Sequence, residues 1–239
     1  MERSCPPVVC VTGAAGGLGQ ALAQQFAAQG WRVAAGSHRG GCADLTDSIW
    51  SLPLDVTDHA RAEGAVQEIV ARWGRLDVLV NNAGAVADAP IWQLHEADWD
   101  AVMAVNLKGA FRVSQAALHP MVQQRDGHIL NIASFAARAG PRGQAHYAAA
   151  KAGLVGLTQS LAREVGSHNV RVNAVLPGVL PTPMTARLDD AVVQEFTRAN
   201  ALGRLNSVAE VARFVVFLAA MQNVSGQLFQ LDSRIARWT

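Results

Sequence analysis

The sequence predicts an α/β fold: a doubly wound, mostly parallel seven-stranded sheet with helices on both faces. Three observations carry this reading. Short apolar runs of strand type alternate with Ala-, Leu- and Gln-rich segments long enough for crossover helices. The strand runs are apolar throughout, as parallel strands covered on both faces must be. A glycine-rich loop separates the first run from the first helix.

The elements follow in order. "PVVCVT" (7–12) is the first strand and runs through "VTGAAGGLG" (11–19) into a helix over 18–29. "WRVAA" (31–35) is the second strand and "WSLPL" (50–54) the third. Only "GSHRGGCADLTDSI" (36–49) joins them, too little for a full helix with loops, so a shortened, irregular connection is expected. A helix over 58–73 leads to "LDVLVN" (76–81), and a helix over 96–122 leads to "HILNIA" (128–133). A helix over 145–166 precedes "VRVNAVL" (170–176), and one over 207–220 precedes "QLFQL" (227–231). Gly30, Gly74 and Gly166 stand where left-handed C-terminal glycines belong. "SVAE" (207–210) has the form of a capping box. No repeat or linker breaks the pattern, so 1–239 reads as a single Rossmann-type domain.

Composition excludes several classes. Half the residues are apolar and 16% are charged, which suits a large buried core. A net charge of +1 without basic runs leaves no footprint for nucleic acid. Three cysteines, Cys5, Cys10 and Cys42, lack metal-ligand spacing and make no disulfide framework. The run 208–221 contains Glu210 and Arg213 and is too short to cross a bilayer. A cytoplasmic protein with no metal and no membrane partner is expected.

The glycine loop points to a dinucleotide. Gly13, Gly17 and Gly19 are spaced G-x-x-x-G-x-G; they permit a tight turn and close backbone approach, and with Leu18 they open a helix whose free N–H groups suit a pyrophosphate. At the end of the second strand, Gly36, Ser37, His38 and Arg39 include no acid for the ribose hydroxyls, which favours NADP(H) while leaving NAD(H) possible. Asp55 and Val56 in "LDVTD" (54–58), and Asn81, Ala83 and Gly84 in "NNAG" (81–84), follow the third and fourth strands. Carboxyl ends of strands are where such sheets bind ligands. Asp55 is expected to accept from the adenine amino group, and Asn81, Ala83 and Gly84 to line the cofactor through their backbone.

The reacting end centres on Tyr147, the chain's only tyrosine, in "RGQAHYAAAKAG" (142–153). Lys151 lies four residues on, on the same helical face, and Ser134 ends the fifth strand. An ammonium beside a phenol stabilises phenolate, so the Tyr147 pKa is expected to fall. Such a phenol can protonate a forming alkoxide or deprotonate an alcohol, with Ser134 bonding the substrate oxygen. A serine hydrolase is disfavoured, because the G-x-S-x-G elbow is absent.

Taken together, "TGAAGGLG", "NNAG", Ser134…Tyr147-x-x-x-Lys151 and "LPGVLPTPM" (176–184) resemble the short-chain dehydrogenases/reductases, in order and spacing, from Val8 to about Asp232. The resemblance implies hydride transfer with a nicotinamide cofactor: Tyr147 as general acid/base, Ser134 orienting the carbonyl, and Lys151 holding the nicotinamide ribose. It implies that Asn106 in "AVNLKGAF" supports a water-and-lysine proton relay. It also implies that Thr182, after the Pro177-Gly178 turn, meets the nicotinamide carboxamide.

Within the family the stretch from Gly140 to Glu164 is most similar to 3-oxoacyl-thioester reductases, including those acting on acyl-carrier protein. This implies a small-molecule or carrier-bound acyl substrate and a homotetramer with the last two helices and final strand in one interface. Phe135, Arg142, Gln144 and Met184 join Ser134 and Tyr147 as substrate-side candidates. Met184, Leu188 and Phe196 fall in the segment that the resemblance makes a lid.

Three features depart from that pattern. Gly16 replaces an arginine common in NADP-type loops. His128 and His168 stand where carrier-binding arginines are expected. The terminal "VDGG" reads "LDSR" (231–234), followed by "IARWT". Trp92 and Trp99 are expected in packing or subunit contact, and His38 and His95 show no partner in the sequence. Two other readings stay open: an alcohol dehydrogenase or carbonyl reductase on another hydroxy/oxo substrate, and a catalytically silent nucleotide-binding subunit.

Overall fold

The computed structural model describes residues 5–38, 48–183, 185–186 and 188–235. Seven parallel strands form one sheet in the order β3-β2-β1-β4-β5-β6-β7. They are β1 Val8–Thr12, β2 Arg32–Ser37, β3 Ile49–Pro53, β4 Val78–Asn81, β5 Gly127–Ile132, β6 Val170–Leu176 and β7 Leu228–Gln230. Each coincides with an expected strand to within two residues at either end. Every residue of β1, β4, β5 and β6 is buried, which is why these runs carry no polar alternation.

The two faces take alternate side chains. Val9, Val11, Val33 and Val80 pack with Leu22 and Phe26 of α1 (Gly17–Ala28) and with Val211 and Val215 of α8 (Val208–Ala219). Val8, Cys10, Leu52 and Leu79 pack on the other face. There they meet Ile69 of α2 (His59–Trp73), Val113 and Met121 of α4 (Ala110–Gln124), and Val165 of α6 (Ala145–Val165). Burial holds the Cys10 thiol near a pKa of about 12, so it behaves as an apolar core residue.

Several helix ends differ from the sequence reading. The expected helix over 96–122 is α3 (Glu96–Met103) and α4 joined by a π-helical segment, Ala104–Gly109. Two helices were not expected: the single turn α5 (Ala136–Ala139) and α7 (Asp190–Ala199). Gly30 and Gly74 have φ of +78° and +74°, as a left-handed end requires. Gly166 does not. It is right-handed at φ −59°, and a 3-10 turn, Gly166–His168, carries the chain to Asn169, which takes the left-handed position at φ 59°. Ser207 Oγ accepts from the Glu210 N–H at 3.3 Å, but Asn206 Oδ1 takes the Ser207 N–H at 2.7 Å, so the side chain of the preceding residue completes this cap.

The connection from β2 to β3 lies mostly outside the described residues, as do Arg39, Cys42 and Met184. Among the described residues no helix is long and apolar enough to cross a membrane, and no three His, Cys, Asp or Glu side chains converge as metal ligands.

Candidate active site

The strand order reverses between β1 and β4, and their carboxyl ends build the first half of the site. Thr12 Oγ1 accepts the N–H groups of Asn82 and Ala83, each at 3.0 Å. Asn82 Nδ2 returns bonds to Thr12 O at 2.9 Å and Gly13 O at 3.2 Å. "TGAAGGLG" and "NNAG" are therefore one unit, clasped by two residues that motif reading passed over. Gly13 needs its φ of +63°, and a Cβ there would lie 2.8 Å from Ala83 Cα. A Cβ on Gly19 would come within 2.3 Å of Gly13 O. The α1 N-terminus has Gly16 as its cap residue, with no side-chain cap and no acid in its first turn. Its N–H groups are thus open to an anion.

The 177–183 segment reaches the same loop. A Cβ on Gly17 would lie 3.1 Å from Thr182 Cβ, which brings Thr182 against the glycine-rich turn. Asn206 Nδ2 holds Pro177 O at 2.9 Å, and Gly178 takes φ +81° against Asp232.

At the end of β2, Ser37 is buried and its Oγ has no hydrogen-bond partner among the described residues. His38 has one after all: its Nδ1 meets Asp55 Oδ2 at 2.9 Å, a contact between strand ends that linear spacing does not reveal. Asp55 Oδ1 accepts from Thr57 N at 2.8 Å and Thr57 Oγ1 at 2.7 Å. Partial burial opposes the Asp55 charge, but the Thr57 bonds and His38 outweigh it and hold the carboxyl below its ordinary pKa. Leu18 and Val56 spend their side chains in the core, Val56 against Gly109, which leaves only their backbones for a ligand.

The reacting groups come from β5, α6 and the π segment. Ser134 follows β5, and its hydroxyl bonds the Tyr147 phenol while accepting the Ala136 N–H at 3.2 Å. Lys151 is buried, and its Nζ donates to Ile132 O at 2.8 Å. Burial lowers its pKa to about 8.

The expected fall of the Tyr147 pKa does not occur in this state. Burial raises it, and the Asp88 carboxylate adds to the rise; the Ser134 hydrogen bond opposes both. Lys151 Nζ lies 5.6 Å from the phenol ring centroid and gives no compensating pull. Asp88 is held by Gln144 Nε2 at 2.9 Å, and Ala89 N–H donates to Gly143 O at 3.0 Å. The loop after "NNAG" is thereby tied to the turn before Tyr147.

Asn106 sits in the π segment, a distortion concentrated at functional sites. Its Nδ2 donates to Ala85 O at 2.8 Å and Val102 O at 2.9 Å, while its buried Oδ1 has no partner among the described residues. A Cβ on Gly84 would lie 3.1 Å from Asn106 Oδ1 and 3.9 Å from Lys151 Nζ, so both groups border the space that this glycine leaves open.

Asn81 was expected to meet a ligand through its backbone, and its side chain is used elsewhere: Nδ2 donates to Ser114 Oγ at 2.9 Å and Asn131 Oδ1 at 2.8 Å. Asn131 Nδ2 donates in turn to Thr158 Oγ1 at 2.9 Å, making a buried polar ladder beneath the site. His128 cannot face a carrier protein, because it is fully buried against Asn173, 2.8 Å from its Nε2, and burial lowers its pKa to about 4. Trp92 is 72% exposed, which leaves subunit contact as the open half of the expectation for it. Arg142 is exposed, while Phe135 and Gln144 are partly buried beside Ser134 and Tyr147.

These residues fit a dinucleotide: an uncapped helix N-terminus, the orphaned Ser37 Oγ, and a buried ammonium with one protein acceptor among the described residues.

Comparison with known proteins supports the same chemistry. The short chain dehydrogenase family matches residues 7–193. The 3-oxoacyl-[acyl-carrier-protein] reductase FabG of Thermotoga maritima is 40% identical over 235 residues, covering 94% of this chain and 96% of its own. The protein of that name from Escherichia coli strain K12 is 38% identical over 218 residues, 89% of each chain. The one from Chlamydia muridarum is 35% identical over 237 residues, 95% of this chain and 96% of its own.

Proposed function

The chain belongs to the short-chain dehydrogenase family, and we propose that within it the protein reduces 3-oxoacyl thioesters to 3-hydroxyacyl thioesters with NADPH. It is a nicotinamide-dependent oxidoreductase. The observation that carries the substrate reading is the likeness to 3-oxoacyl-[acyl-carrier-protein] reductases over nearly the whole chain, together with the convergence of Ser134, Tyr147, Lys151 and Asn106.

The nicotinamide supplies hydride to the ketone carbon when bound. Gly13, Gly17 and Gly19 with the α1 N-terminus would hold its pyrophosphate, and Lys151 its ribose. Ser134 and the Tyr147 hydroxyl stand within hydrogen-bond reach of one another, and on substrate binding each would turn its proton to the carbonyl oxygen. Tyr147 gives its proton to that oxygen as charge develops. The raised pKa keeps it protonated at neutral pH, as an acid in the reductive direction must be. Lys151 and the open Asn106 Oδ1 mark the route by which a proton returns to Tyr147.

Ser37, with its buried hydroxyl unpartnered among the described residues, and the sequence Gly36-Ser37-His38-Arg39 without an acid support NADP(H) over NAD(H). A carrier-bound acyl group fits the relatives' names, and the cytoplasm is the compartment where that substrate would be met. Exposed Phe111 on α4 and Phe217 on α8 support a homotetramer assembled through those faces. Initial rates on acetoacetyl-CoA with NADPH and with NADH test the reading. Turnover with NADPH preferred is expected, and no rate on any 3-oxoacyl thioester would overturn it.

A further inference from the structure

The segment 231–234 folds back onto the site. After β7, the Leu231 N–H donates to Leu176 O at 3.0 Å, and Asp232 packs where a Cβ on Gly178 would lie, 2.7 Å from its own Cβ. Arg234 Nε donates to Asp232 Oδ2 at 2.6 Å, and Nη2 pairs with the same oxygen. The two side chains are 11% and 1% exposed. The guanidinium carbon then stands 3.8 Å from the ring centroid of Phe135, the residue next to Ser134. Ser233 makes a second connection. Its N–H and hydroxyl both donate to Asn200 Oδ1, at 3.0 and 3.1 Å. Its carbonyl and Oγ accept the N–H groups of Ala201 and Leu202. Asn200 caps the C-terminus of α7 and is buried, although no residue within α7 is.

We propose that Arg234 is a positioning residue for Ser134, and that Ser233 and Arg234 together set the catalytic turn and α7 from one segment. The proposal rests on the reading of Ser134 as the group that orients the substrate oxygen.

The ion pair with Asp232 is neutral as a unit, so Arg234 adds no net charge to the pocket. What it adds is a flat, immobile cover for the Phe135 ring. Phe135 O accepts the N–H groups of Arg138 and Ala139 at 2.9 and 3.0 Å, and Ser134 O accepts that of Ala137 at 3.0 Å. Holding the ring holds this turn, and the turn fixes the Ser134 hydroxyl against Tyr147. Glycines at 233 and 234 would leave neither the stack on Phe135 nor the hydroxyl on Asn200, so the coupling belongs to the "LDSR" sequence of this chain.

Hydrogen–deuterium exchange by mass spectrometry on the full-length protein tests this in Arg234→Ala, Arg234→Lys and Ser233→Ala. Arg234→Ala is expected to speed exchange over 136–140 by about tenfold while leaving β1 and α1 unchanged. Arg234→Lys keeps a cation for Asp232 but has no plane to lay on Phe135, so it is expected to behave like the alanine variant. If the alanine variant does not fold, the lysine variant decides. Ser233→Ala should speed exchange over 196–202 instead. In initial-rate assays on acetoacetyl-CoA, both Arg234 variants should lose about tenfold in kcat with the KM for NADPH unchanged. Unchanged exchange over 136–140 in the lysine variant would overturn the proposal. A wild-type protein inert toward 3-oxoacyl thioesters would overturn only the functional reading, because the exchange measurement needs no substrate.

Discussion

Replacing Lys151 with Met separates the stability cost of the site from its function. The residue is 4% exposed, and its ammonium bonds a single protein acceptor among the described residues, Ile132 O at 2.8 Å. Burial takes its pKa from the ordinary 10.5 to about 8. At 1.36 kcal/mol per pH unit, this costs the folded state roughly 3 kcal/mol near neutrality. The unfolded chain holds this proton more tightly than the folded one. The cost is therefore full below pH 8 and fades as pH rises from about 8 to 10.5. Met has similar bulk but leaves Ile132 O without that donor, which costs about 1–2 kcal/mol. The variant should thus be more stable than wild type at pH 7 by roughly 1–2 kcal/mol, or about 2–8 °C in Tm. The gain should shrink and reverse toward pH 10. Urea unfolding of both proteins at equal concentration, at pH 7 and pH 9.5, measures this. A stability difference that does not move with pH would refute the reasoning, whatever its size. The same variant should lose nearly all turnover, which marks a residue retained for chemistry at a cost to the fold.

Other consequences are as direct. Asn82→Ala removes the bonds to Thr12 O and Gly13 O, and should weaken NADPH binding about tenfold and stability by about 1–2 kcal/mol, read by fluorescence titration and urea unfolding. Asp88→Asn removes a carboxylate that raises the Tyr147 pKa, so the alkaline limb of kcat for reduction should move to lower pH. His128, with a folded pKa of about 4 against an ordinary 6.5, favours the neutral form in the fold. Stability should fall as pH drops through that window, by about 2 kcal/mol at pH 5, and His128→Gln should flatten the profile in acid urea titrations.

What the sequence made legible follows from the range of the signal. Fully buried strands announce themselves as unbroken apolar runs, and all seven were found to within two residues at either end. Ser134, Tyr147 and Lys151 were legible because their spacing is local and the loop order is distinctive. The π segment was not: Asn106 lies in a stretch of ordinary helical period, and a single wide turn leaves no compositional trace. Helix α7 was readable in principle from Asp189, the apolar Val192, Val193 and Phe196, and Arg198, but has no buried anchor of its own. Long-range pairings were invisible. Thr12 with Asn82, His38 with Asp55, and Arg234 with Phe135 join residues from different elements, and only the folded sheet brings them together. The Tyr147 pKa was misjudged for a related reason. Helical spacing placed the lysine on the right face but could not register that burial and Asp88 raise the pKa while the lysine gives no compensating pull.

The central claim is that the chain's one tyrosine delivers the proton in a carbonyl reduction. Its most direct test is single-turnover reduction of acetoacetyl-CoA by NADPH in wild type and Tyr147→Phe, with NADPH affinity measured in both. A loss of at least about 10²-fold in rate is expected for the phenylalanine variant with affinity unchanged. A rate equal to wild type would contradict it.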